Sequence, residues 1–337
     1  MVIKCASKLS YFIIEGCYSS QIIATNITPS HFEFSTKEHT FIFDGKEPIH
    51  KSEGYDVIEL DFAEVLQFTS TKDGIATMWS KLDHSKKYFL VWHFGEGMTQ
   101  AANNFRFLMD NGVKLYTSTW EPMLKDHPNY IYDLAFSLHY FNYYNGACYT
   151  DRTDKERIHF DKKYKVGLYG LTKWKERDGS AFRNWRYDYI EFFENKSDTK
   201  ILSYERPSIF ELSQYMRNQH FSAPFDFRNC NYFLTAESHF NAKDGLPYFT
   251  SEKILKSAWL ELFDINAILI TSPEHMKDLH DRGFWFANSK FIKEYTQKGI
   301  LDSVYECYES NEIIQTNNFD VMDGILSENL FEKYNII

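Results

Sequence analysis

Five consecutive apolar residues, Tyr88-Phe89-Leu90-Val91-Trp92, stand between Lys86-Lys87 and His93. A strand with one wet face alternates apolar and polar side chains, because successive Cβ atoms point to opposite faces of the sheet. A run that is apolar at every position must be covered on both faces. That is how a parallel strand inside an α/β sheet reads. Shorter β-rich runs at residues 11–15, 39–43, 56–62 and 113–117 place further strands in the first 150 residues. Residues 98–111 form the best helix candidate among them, with Ala101, Phe105 and Leu108 at helical spacing.

The second half alternates more plainly. Strand patterns at 165–169, 200–204, 230–235 and 265–270 are separated by helical patterns at 180–194, from Ser208 onward, at 251–262 and at 273–282. Ser208 with Glu211 three positions on is a capping box, and Pro273 inside one helix start with Gly283 past its end marks both boundaries. This order predicts a doubly wound parallel sheet whose ligands lie outside the carboxyl ends of the strands. The charged stretch at 150–164 has no continuous apolar face and reads as a domain boundary. The expectation is therefore α/β with two Rossmann-like domains: an acceptor-side domain at 1–155, a nucleotide-sugar domain at 156–320, and a helix at 321–337 packing back on the first.

Composition narrows the function classes. The 337 residues are 43% apolar and include 30 Phe and 23 Tyr, a density that excludes linker-like and disordered chains. The five cysteines are scattered, without metal-ligand spacing, which favours a reducing, cytoplasmic setting. No run is long and apolar enough to span a membrane. A net charge of −10 opposes a broad nucleic-acid-binding face. One segment runs against that average: residues 152–186 hold eleven basic and five acidic side chains. Its first part reads as a solvated linker. Its later part places Lys173 and Lys175 in a loop after a buried strand, with Arg183 and Arg186 near the start of the next helix, a set suited to a diphosphate. An ordinary salt-bridged helix fits those residues equally well.

A second constellation runs from Glu237, at the end of one strand, to Ser251-Glu252-Lys253, at the start of a helix. Both belong on the same rim of the sheet, although Ser followed by Glu at a helix start is also plain capping. Residues 233–258, with Ile268-Leu269-Ile270-Thr271-Ser272-Pro273, resemble the C-terminal donor-binding motif of the alpha-1,3-fucosyltransferases and related GT-B nucleotide-sugar glycosyltransferases. In that family a strand ends in a glutamate, a Gly-containing loop follows, and a Thr-Glu-Lys helix start comes next. This chain has Glu237-Ser238 where the family has Glu-Asn, and Ser251-Glu252-Lys253 where it has Thr-Glu-Lys. Arg183 or Arg186 is similar to the family's phosphate-binding arginine, and residues 279–284 resemble a tail found in phage and bacterial relatives. The resemblance implies that Glu252 holds sugar or ribose hydroxyls, that Lys253 lies near the pyrophosphate, and that Glu237 lines the same pocket.

An inverting transfer needs a carboxylate to take the proton of the acceptor hydroxyl. Glu96, in the Gly95-Glu96-Gly97 turn after the strongest strand, is the first choice and Glu121 the second; His93 reads as a packed strand residue. The sequence lacks a P-loop, a nucleophile elbow, a zinc motif and an Asp-x-Asp pair, so the expectation is a metal-independent enzyme without a cofactor beyond its GDP- or UDP-sugar co-substrate. Its partners would be that donor and a glycan or other hydroxyl acceptor. Two other readings stand beside this one: a glycosyltransferase acting on modified phage DNA bases, and a non-catalytic carbohydrate-binding or structural protein in which Tyr140-Phe141-Asn142-Tyr143-Tyr144 serve as stacking wall or core.

Overall fold

The structure is a computed structural model, and it describes residues 1–6, 31–35, 39–44, 51–61, 65, 68, 74–92, 98–144, 159–170, 185–203, 227–237, 247–310, 312–328 and 330–334. At some helix and strand positions, Arg186, Glu252 and residues 140–144 among them, the description is of backbone alone. The run at 11–15 and the helix expected from Ser208 lie outside the described residues. The chain divides into two compact units, the first made of 1–151, 247–250 and 325–337, the second of 152–246 and 251–324.

Unit 1 is built on a seven-stranded sheet: β1 (Val2–Lys4), β2 (His31–Ser35), β3 (Thr40–Asp44), β4 (Val57–Glu59), β5 (Lys87–Trp92), β6 (Lys114–Thr117) and β8 (Tyr130–Tyr132), in the order β2-β3-β1-β4-β5-β6-β8. Every pairing is parallel except that of edge strand β2 with β3. Those two strands are separated by only a few residues, too few for the crossover that a parallel pair needs. The uninterrupted apolar run becomes β5 at the sheet's interior, and its alternate residues feed two cores. Tyr88, Leu90 and Trp92 join one with Phe105 and Leu108 of the helix Met98–Asp110, while Phe89 and Val91 join the other with Phe41, Tyr116 and Phe136.

Three helices of this unit are α1 (Gly74–Trp79), α2 (Met98–Asp110) and α3 (Ala135–Tyr144). Tyr140 to Tyr144 are the second half of α3, the aromatic stretch of the sequence. A two-stranded ribbon pairs β7 (Thr119–Trp120) antiparallel with Tyr248–Phe249. The last helix, Leu330–Tyr334, also belongs here: Leu330 is fully buried in the second core, and both Tyr334 Oη and Lys333 Nζ meet the buried Asp133 carboxylate.

Unit 2 has four parallel strands, β9 (Tyr164–Gly170), β10 (Thr199–Ser203), β11 (Cys230–Ala236) and, after the Tyr248–Phe249 strand (β12) of unit 1, β13 (Asn266–Ile270); their order is β10-β9-β11-β13. Its helices are α4 (Trp185–Glu194), α5 (Glu252–Leu260), α6 (Pro273–Asp281), α7 (Gln297–Glu309) and all but the last two residues of α8 (Asn318–Leu326). The helical stretch expected at 251–262 is α5 followed by a short 3-10 turn, Glu261–Phe263. Ser272 caps α6 by accepting from the His275 N–H, and Pro273 takes its first turn. Gly283, with φ of 90°, ends it: the Phe284 N–H reaches the Leu279 carbonyl and the Gly283 N–H the His280 carbonyl, a Schellman closure. β13 is an edge strand, and its open side is occupied. The buried Asn288 side chain accepts from the Leu269 N–H and donates to the Leu269 carbonyl, both at 3.0 Å, which removes the exposed ladder on which another chain could pair.

Candidate functional site

In a parallel sheet, loops that leave neighbouring strands in opposite directions open a crevice at the carboxyl ends of those strands. In unit 2 that reversal falls between β9, whose chain continues to β10 on one side, and β11, whose chain continues to β13 on the other. Glu237 is the residue that follows β11, and its N–H still bonds the Ile270 carbonyl at 2.9 Å. It therefore stands at the rim beside the reversal.

Its carboxylate is buried, with a side chain only 2% exposed, and it is held by the start of α5. The Ser251 N–H donates to Oε1 at 3.2 Å and the Ser251 hydroxyl donates to Oε2 at 2.5 Å. Ser251 is the N-cap, and its oxygen accepts from the Lys253 N–H at 3.2 Å. The Lys253 ammonium donates to that same oxygen at 3.2 Å and lies 3.9 Å from Glu237 Oε2. The Ser251 hydroxyl is thus fully engaged: it donates its proton's hydrogen bond to a carboxylate and its lone pairs face two donors. It is a positioning group and not a nucleophile. Through these contacts Glu237 fixes the cap of α5. Lys253, 22% exposed, is the member with access to the surface, and it sits where α5 presents its orphan N–H groups and the positive end of its dipole.

The carboxyl end of β13 adds Thr271 and Ser272 to this side of the sheet, both buried. The His275 imidazole behind them bonds Thr271 Oγ1 through Nδ1 at 2.8 Å, and complete burial pushes it down to about 4, so it is neutral at physiological pH.

The other residues expected at a site fall as follows. Lys173, Lys175, Arg183, Glu96 and His93 lie outside the described residues. Arg186 is in the first turn of α4 and Glu252 is the first residue of α5; both are placed by backbone alone. Glu121 is in unit 1, just past β7, and is 1% exposed. Its Oε1 accepts from the Met123 N–H at 3.1 Å, and its Oε2 has no hydrogen-bond partner.

Two rim residues escaped the sequence reading. Glu59 ends β4, beside β1 where the strand order of unit 1 reverses, and its Oε2 accepts from the Ala6 N–H at 2.8 Å, pinning the chain as it leaves β1. Its position directly after Val57-Ile58 was the available signal. Thr119, two residues before Glu121 and therefore on the same face, is buried with its hydroxyl oxygen unpartnered.

Thiol chemistry has no support at the described cysteines. Burial pushes Cys230 up to about 11 and Cys307 up to about 12, and it raises Cys5 well above the ordinary range with help from Glu59. Among the described residues no cluster of three or more His, Cys, Asp or Glu could hold a metal, and no helix is long and apolar enough to cross a membrane. Comparisons with protein-family models, curated proteins and solved structures each returned no match.

Proposed function

We propose that the chain is a glycosyltransferase that moves a sugar from a nucleotide-diphosphate donor to a hydroxyl acceptor, inverting and metal-independent, with each unit a Rossmann-like domain of a GT-B-like enzyme. The observation that carries the reading is the Lys253 ammonium at the α5 N-terminus, locked by Ser251 and Glu237 at the strand-order reversal of a parallel sheet. An ammonium and a helix N-terminus side by side form a diphosphate site, and they stabilise the charge that develops as the nucleotide leaves. Glu252, at the first position of α5, is assigned to donor hydroxyls, and Lys173, Lys175, Arg183 and Arg186 to the remaining phosphate charge. The acceptor belongs to unit 1, where Glu96 is assigned the role of base. The donor is a GDP- or UDP-sugar, and the net charge of −10 favours a glycan or other small acceptor over a nucleic acid.

Titration calorimetry against GDP-, UDP-, CMP- and dTDP-sugars tests this. One nucleotide sugar should bind, and Lys253→Ala should weaken it about tenfold or more, as loss of a charge-assisted contact does, while circular dichroism stays unchanged. No heat with any nucleotide would sink the proposal. Slow donor hydrolysis without acceptor separates an enzyme from a pure binding protein, which cannot turn donor over.

A further inference from the structure

Buried polar atoms in folded proteins are nearly always hydrogen-bonded, so an exception calls for an occupant. Unit 1 has two on one short strand and its exit, Thr119 Oγ1 and Glu121 Oε2. Residues two apart on a strand share a face, and their side chains leave the backbone about 7 Å apart. The support beneath them is rigid. The Tyr130 hydroxyl donates to the Thr119 carbonyl and accepts from the Glu121 N–H at 2.9 Å, so one phenol fixes the backbone of both. On the opposite face of β7, Trp120 packs with Tyr132 and Tyr248 at ring-centroid distances of 5.5 and 6.3 Å and holds the ribbon in place. Positions prepared so firmly for groups left unsatisfied are how a binding constellation is built.

The chemistry of the two atoms defines the ligand. Glu121 Oε1 is taken by the Met123 N–H, Oε2 is open, and no Lys, Arg or His of the described residues pairs with this carboxylate. A water or a neutral hydroxyl would supply a hydrogen bond and no opposite charge. An ammonium supplies both. Thr119 Oγ1 then offers a hydrogen bond to a second polar group on the same molecule. An amine and a hydroxyl on adjacent carbons offer one group to each, at contacts of about 2.8–3.0 Å.

We propose that Glu121 and Thr119 recognise a small amine-bearing acceptor, with the ammonium on Glu121 Oε2 and the neighbouring hydroxyl on Thr119 Oγ1: a 2-amino sugar or a 1,2-amino alcohol. The word acceptor rests on the glycosyltransferase reading; the amine binding does not. It gives Glu121 a role in holding the acceptor, leaving proton removal to Glu96.

Calorimetry on the full chain, without nucleotide, compares glucosamine, 2-aminoethanol, N-acetylglucosamine and glucose. Glucosamine should bind about tenfold or more tightly than its N-acetylated and neutral counterparts, and Glu121→Gln, which keeps the shape and the Met123 contact, should abolish that preference. Thr119→Val should weaken glucosamine in the same direction, so a failure of one variant to fold leaves the other informative. Equal binding of N-acetylglucosamine, or no binding of either amine, overturns the proposal. Amine binding without nucleotide binding would defeat the enzymatic reading alone; nucleotide binding without amine binding would defeat this inference alone.

Discussion

Ser251 uses its hydroxyl three ways at once: it donates to Glu237, caps the Lys253 N–H and meets the Lys253 ammonium. Ser251→Ala removes all three and leaves a buried carboxylate short of a donor. It should cost about 1–3 kcal/mol by urea unfolding, more than an ordinary cap loss, whereas Ser251→Thr should stay close to the parent. Unchanged stability in the alanine variant would mean that Glu237 finds its donors elsewhere. This is also where sequence reading reached its limit. The motif located a glutamate at a strand end and a serine-lysine pair at a helix start, but not that Ser251 itself donates to Glu237. Which donors saturate a carboxylate depends on the fold bringing residues fourteen apart into contact, and spacing alone does not encode that.

Glu261 shows how one element is terminated by another. This buried carboxylate accepts from the Asn318 N–H at 3.0 Å, the Phe319 N–H at 2.8 Å and the Thr316 hydroxyl, so a side chain from the 3-10 turn after α5 satisfies orphan donors at the start of α8. Glu261→Ala should lower stability by roughly 2–4 kcal/mol in urea, since it strands several buried donors, and a change below about 0.5 kcal/mol would refute the cap. A second element test lies in β9. A Cβ at Gly167 would stand 2.3 Å from the Phe227 ring and 2.8 Å from Cys230 Sγ, so Gly167→Ala should cost about 1–3 kcal/mol through forced repacking, and a neutral result would show that the ring moves freely.

The same scale explains which elements could be read. β5, β11 and β13 are long apolar runs, and α6 carries its own start and stop signals. β1 and β8 are three residues each, too short to show a period, and α3 scatters Ser137, His139 and Asn142 among its apolar residues, so it has no clean stripe to reveal a helix. Glu59, Thr119 and Glu121 acquire meaning only once strand order places them at a rim or on a shared face.

For the molecule as a whole, each unit encloses a histidine that folding keeps neutral. Burial pushes His139 in α3 of unit 1 and His275 in α6 of unit 2 down to about 4; Asp133 opposes the shift for His139 and Lys333 adds to it, while Asp278 and Arg282 play those parts for His275. The unfolded imidazole titrates near 6.5, so between there and about 4 the unfolded chain takes up protons that the folded units refuse. Stability contributed by each neutral imidazole is complete above about pH 6.5 and falls as the pH drops toward 4, by an amount approaching roughly 3 kcal/mol per histidine at one pH unit per 1.36 kcal/mol. Carboxylates respond in the same window, so the informative quantity is a difference between variants. His139→Gln and His275→Gln should each lower the proton uptake on unfolding at pH 5 by about one, read from the slope of Tm against pH. The double variant should lower it by about two, because the groups lie in separate units and report independently. A slope unchanged by either substitution would mean that the imidazole in question is already solvated in the native protein.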